Sequence, residues 1–174
     1  NIIRAGMAVK DTCNTAVSFH AGRLLARMEQ CRPSELRVSR TGAITTIKAL
    51  SDLEGAVPGD PVTGGALGAH FRVDPSTGEK ICVSYSTGGP GQGPPLARHD
   101  VWGKDGRLSH SAAVPLPAPI MVHDLAITKS HSVIFDLPLT VRIEKTLLDR
   151  FLVEYEERTP ARLGLLPRYG SPEQ

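Results

Sequence analysis

Ile120-Met121-Val122-His123-Asp124-Leu125-Ala126-Ile127-Thr128, followed by Val133-Ile134-Phe135-Asp136-Leu137-Pro138-Leu139, alternates with the period of a β-strand and carries one histidine. In an extended chain Met121, His123, Leu125 and Ile127 share a face, so the imidazole stands among apolar neighbours. An imidazole buried there without a partner costs on the order of a few kcal/mol. It therefore needs a hydrogen-bond acceptor, a water or a metal. Taken alone, His123 reads first as a structural histidine and second as a metal ligand.

Working outward, the same period recurs. Strands are expected at Ala16 to Phe19, Arg23 to Met28, Glu35 to Val38, Lys80 to Tyr85, Asp100 to Trp102, Met121 to Thr128, Val133 to Leu137 and Arg150 to Glu156. Ile81, Val83 and Tyr85 fall on one face and Cys82, Ser84 and Ser86 on the other, which predicts a half-buried strand. Phe151, Val153 and Tyr155 repeat the pattern. Seventeen glycines and 14 prolines punctuate these runs, as in an all-β sheet protein. Around Lys145 to Leu148 the sequence allows one helical turn at most.

Two turns carry their own mechanism. In Asp74-Pro75-Ser76-Thr77-Gly78-Glu79, Pro75 pre-sets φ and Gly78 supplies a positive φ, while Lys104-Asp105-Gly106-Arg107 is an Asp-Gly hairpin turn. His70 then lies at the inner end of a strand just before a hairpin, and His123 at the start of another strand. Leu53 to Ala66 and Thr87 to Pro95 read as Gly- and Pro-rich loops, without the lysine-serine ending of a phosphate cradle.

Net charge is +2, from 20 basic and 18 acidic residues spread along the chain, which provides no footprint for nucleic acid. No run of about 18 apolar residues is present and no signal-peptide pattern opens the chain. Cys13, Cys31 and Cys82 lack metal-type spacing and read as reduced, partly buried thiols. Opening at Asn1 and stopping at Gln174 without a closing element, residues 1–174 read as a fragment truncated at both ends.

Met121-Val122-His123-Asp124-Leu125-Ala126-Ile127-Thr128 with Asp136-Leu137-Pro138-Leu139 resembles the signature of the carotenoid cleavage dioxygenase family, which also holds stilbene-cleaving oxygenases and retinoid isomerohydrolases. Three further segments match in the same order. They are Asn14-Thr15-Ala16-Val17 with His20-Ala21-Gly22-Arg23-Leu24-Leu25-Ala26 and Glu29; Ala69-His70 with Val73-Asp74-Pro75 and Thr77-Gly78-Glu79; and Ala161-Arg162-Leu163-Gly164-Leu165-Leu166-Pro167-Arg168-Tyr169. The resemblance implies an all-β fold, a seven-bladed β-propeller of which this chain supplies roughly two to three blades. It implies a non-haem Fe(II) on the propeller axis, held by four histidines from different blades. His70 falls on the first ligand position and His123 on the second, the other two lying beyond Gln174. Glu29 falls on a carboxylate that orients a ligand imidazole, either His70 or one of the absent histidines. Imidazole suits iron, zinc, copper and nickel alike, so iron rests on the resemblance.

The implied reaction adds O2 across one conjugated C=C bond of a carotenoid or apocarotenoid to give two carbonyl products. Its implied partners are the apolar polyene, O2 and the remaining blades of the parent chain. Peripheral membrane association is compatible with such substrates, although no amphipathic anchor is visible. Stilbene cleavage, retinoid isomerohydrolase-like activity and an inactive propeller that binds an apolar ligand are the alternatives. With half the ligand set missing, the isolated stretch is expected to bind iron weakly.

His20 is expected packed or at the surface, and His99, His110 and His131 exposed beside loops and turns. Asp124 points away from the face of His123 and is expected to anchor backbone or an adjacent strand. Phe71 stands where family members commonly have proline, and Cys13 where alanine is more frequent.

Overall fold

The structure, a computed structural model, describes residues 12–29, 31–48, 67–89, 93–142, 145 and 152–173. It is all-β. Strands β1 (Ala16–His20), β2 (Arg23–Arg27), β3 (Ser34–Val38) and β4 (Ile44–Lys48) form a four-stranded antiparallel meander. A second meander follows in β5 (Phe71–Val73), β6 (Lys80–Ser86), β7 (Leu96–Trp102) and β8 (Leu108–Pro115). The third unit joins β9 (Leu125–Ile127), β10 (His131–Asp136) and β13 (Arg162–Pro167) in the order β13-β10-β9, beside the pair β11 (Leu139–Val141) and β12 (Val153–Tyr155). Two sequential four-stranded sheets and a third partial one are the arc of a propeller.

The layers stack through two cores. Ile81, Val83, Tyr85, Ala97 and Val101 on one face of the second sheet meet Ile120, Val122, Leu125, Ile134 and Leu166. On its other face Cys82 and Trp102 meet Leu25 of the first sheet and Leu67. Strand β6 is therefore buried along all seven residues, not half-buried as its alternation suggests. Alternation shows which residues share a face; being sandwiched between neighbouring sheets decides that both faces are covered.

Both anticipated turns form. The Asp74 amide donates to the Glu79 carbonyl at 2.8 Å, and Gly78 has φ of 74°. At the β7–β8 hairpin Gly106 has φ of 84°, and the Arg107 amide donates to Asp105 Oδ1 at 3.1 Å. Arg168 then reaches back to the first of these turns, with Nη1 2.6 Å from Asp74 Oδ2, and Tyr169 donates to Glu79 at 2.6 Å. Hydrogen bonds from Ser76 and from Arg168 hold the Asp74 carboxyl well below its ordinary range. Segments 94 positions apart are thus tied together.

The expected strand at Met121 to Thr128 shortens to Leu125–Ile127, because Met121–Asp124 leaves the ladder to pair elsewhere: the Met121 amide donates to Leu139 at 2.8 Å. β4, β5, β8, β11 and β13 are additional strands. Leu53–Ala66, residues 90–92 of the other loop, and most of the Lys145 to Leu148 run lie outside the described residues. Cys13, Cys31 and Cys82 form no disulfide, and Cys31 and Cys82 are buried.

Candidate metal centre

His70 sits immediately before β5, held by the chain preceding it. At Gly68 a Cβ would lie 1.9 Å from the Val83 carbonyl oxygen, so only glycine lets this segment rest on β6. The Gly68 amide donates to Ser84 Oγ at 3.0 Å, and Ala69 is completely buried. These contacts leave the His70 ring projecting from a fixed backbone.

His123 is presented in the same manner. Val122 before it is 1% exposed, and Asp124 after it accepts from Arg72 Nη2 at 2.7 Å and from the Leu125 amide at 2.8 Å. Burial would raise the Asp124 carboxyl, but the hydrogen bonds from Arg72 and Leu125 and the Arg72 charge outweigh it and hold the group below its ordinary value. Because Arg72 follows His70 by two residues and Asp124 follows His123 by one, this ion pair clamps the two histidine-bearing segments together. Arg72 and Gly68 played no part in the sequence reading. The opposite charges flanking the two histidines were the available signal for the clamp.

The rings meet. His70 Nε2 and His123 Nε2 are 3.1 Å apart, with ring centroids at 4.6 Å and an interplanar angle of 70°. On its far side, His123 Nδ1 contacts Glu29 Oε1 of a largely buried carboxylate. The structure thus brings all three sequence-selected residues together, and it gives Glu29 a different partner from those expected: His123 rather than His70 or a histidine elsewhere. β2 ends at Arg27, and the turn that follows carries Glu29 to the far nitrogen of His123.

The donor chemistry fits a divalent metal. With Glu29 against Nδ1, a His123 tautomer carrying its proton on that nitrogen would leave the Nε2 lone pair, which faces His70, open to a metal. Two lone pairs cannot face each other at 3.1 Å without a proton or a cation between them. Two imidazoles bound to one ion at about 2.1 Å would have nitrogens roughly 3.0–3.4 Å apart, for angles between square and tetrahedral. Among the described residues no group of three or more His, Cys, Asp or Glu side chains gathers for a metal, so His70 and His123 are two candidate ligands.

The remaining histidines lie elsewhere. His99, expected exposed, has no solvent exposure and pairs with Ser132 Oγ at 2.8 Å. It occupies the middle of β7, between the first sheet and the third, a position that the polar run Arg98-His99-Asp100 disguises. Burial, with the positive potential of His110 and Arg168, pushes it down to about 4. His110 is half-buried with its ring on the Gly170 carbonyl at 3.1 Å, not exposed, and His131 is likewise half-buried beside Ser130 Oγ at 2.9 Å. His20 contacts the Gly78 carbonyl at 3.0 Å and is lowered mainly by burial.

The model of the Retinal pigment epithelial membrane protein family matches residues 3–174. The chain belongs to that family. Family members with similar sequences include carotenoid 9,10(9',10')-cleavage dioxygenase 1 of Phaseolus vulgaris, 34% identical over 164 residues, covering 94% of this chain and 28% of the relative. Resveratrol cleavage oxygenase 1 of Aspergillus fumigatus is 32% identical over 94% of this chain and 30% of its own length. Among solved structures, the Pseudomonas brassicacearum lignostilbene dioxygenase superposes with a TM-score of 0.75 at 26% identity, over 92% of this chain and 31% of that one. A cobalt-substituted Synechocystis ACO gives 0.74 at 25% identity, over 92% and 33%. The chain therefore spans about a third or less of the length of each of these four relatives.

Proposed function

We propose that this chain contributes two metal-binding histidines of an Fe(II)-dependent dioxygenase that cleaves a conjugated C=C bond of a carotenoid or apocarotenoid with O2. The carrying observation is the convergence of His70 Nε2 and His123 Nε2 at 3.1 Å, with Glu29 on the opposite nitrogen of His123. His70 and His123 would hold the iron, and Glu29 would fix the tautomer and aim of His123. Two more ligands would come from other blades of the full-length protein. Bound iron supplies the site for O2 activation. The chain's own residues orient the ligands: Gly68 sets the approach of His70, and the Arg72–Asp124 pair keeps the two rings in register. Family membership and the 34% identity to a carotenoid 9,10(9',10')-cleavage dioxygenase support the polyene substrate.

Stilbene cleavage is the second reading, favoured by the similarity to a resveratrol cleavage oxygenase and to a lignostilbene dioxygenase. Both readings use the same metal pair and differ in the substrate passage. The test is iron content and O2-dependent bleaching of a carotenoid and of a stilbene by the full-length protein and its His123→Ala variant. About one iron per chain and bleaching of the carotenoid, both lost in the variant, are expected. A folded full-length protein that binds no iron and leaves both substrates intact would refute the proposal.

A further inference from the structure

Between the first two sheets lie buried donors that no described acceptor fills. Arg27, at the end of β2, is 1% exposed, and its Nε, Nη1 and Nη2 all lack hydrogen-bond partners. Its guanidinium stacks 4.9 Å over the Phe71 ring. Lys80 is also buried, with Nζ 4.6 Å over the Trp102 ring, and Trp102 Nε1 is a further buried donor without an acceptor. Trp102 shares one apolar cluster with Leu25, Leu67 and Cys82, against which Phe71 packs, so these donors lie in the same interior.

Aromatic faces attract the cations but accept none of their N–H bonds in the guanidinium plane. The carboxylate that acts on Lys80 is Asp100, already accepting from Arg98 Nε at 2.9 Å and from Ser111 Oγ at 2.8 Å. Burial, reinforced by the Arg27 and Arg23 charges, brings Lys80 down to about 8. A guanidinium has no such escape, because it stays protonated in proteins. A buried cation with unfilled donors requires an acceptor.

We propose that Arg27, with Trp102 and Lys80, forms an internal seat for a small monovalent inorganic anion of the halide class. The apolar cluster of Leu25, Leu67 and Cys82, with Phe71 packed against it, adds no further donors, which favours a single-atom ion over a polyatomic or organic acid. The seat is separate from the metal centre yet shares its wall, since Phe71 follows His70 and Arg27 precedes Glu29 by two residues. Its occupancy does not depend on the iron reading.

The test uses the full-length protein and bromide as probe. Thermal midpoints are compared in sodium bromide, chloride and gluconate at matched ionic strength, and a bromide-soaked crystal is mapped by anomalous scattering. A saturable, halide-specific rise of the midpoint and a bromide peak within hydrogen-bonding reach of the Arg27 guanidinium are expected. Arg27→Met should remove the peak and lower the apparent halide affinity by at least about tenfold, with iron content unchanged. Should that variant not fold, Lys80→Met must weaken halide binding in its place. Water alone at Arg27, a peak without any shift in solution, or halide binding undiminished in the variants would each overturn the proposal.

Discussion

His123 and His99 are both imidazoles in an all-β setting, and they are arranged in opposite ways. His99 is wholly buried and bonded to Ser132, whereas the His123 side chain is 46% exposed, with one nitrogen on a carboxylate and the other aimed at a second imidazole. Burial therefore does not distinguish the candidate metal site of this chain. What marks it is a pair of Nε2 atoms brought to 3.1 Å by backbone fixed on other grounds: Gly68 under His70 and the Arg72–Asp124 clamp beside both rings.

That contrast can be broken from either side. The largest effect is expected from His70→Ala in the full-length protein, which should abolish stoichiometric iron and polyene cleavage while moving the urea midpoint little, because the His70 ring is not part of either core. His99→Ala should do the reverse. Loss of a packed side chain and an unpaired Ser132 hydroxyl should cost about 2–4 kcal/mol in denaturant titrations, with iron content preserved.

A pH series sharpens the same point. The folded-state value of His99 is depressed to about 4 against 6.5 when unfolded, so between these limits the unfolded chain binds the extra proton. The stability that neutral His99 preserves is fully present above about pH 6.5 and is lost as pH falls towards 4, by up to about 3 kcal/mol. Denaturant midpoints should follow this slope in the wild type and flatten in His99→Ala. The smallest expected effect is Glu29→Gln, which should weaken iron affinity by about 10–100-fold, read by chelator competition, at unchanged stability.

Much of this was legible in the sequence, for local reasons. Alternation and turn chemistry located the hairpins at Asp74–Glu79 and Lys104–Arg107, and the residues around His70 and His123 carried the family likeness. What stayed hidden depends on neighbours distant along the chain. Strand β8 alternates cleanly in burial, yet its Ser and Ala residues blur the apolar signal. His99 lies in a run that looks like surface until the flanking sheets cover it. Glu29 was recognisable as a carboxylate set against an imidazole, but its partner is decided by where the chain turns after β2, which no local pattern encodes.

The Arg72–Asp124 ion pair joins positions 52 apart without involving either imidazole. The proposed seat for a metal would therefore be assembled by the protein rather than by its occupant. Stripping the ion should leave an empty but intact cradle, so that refilling is a matter of exchange kinetics instead of refolding, and one divalent ion can be traded for another in the folded state.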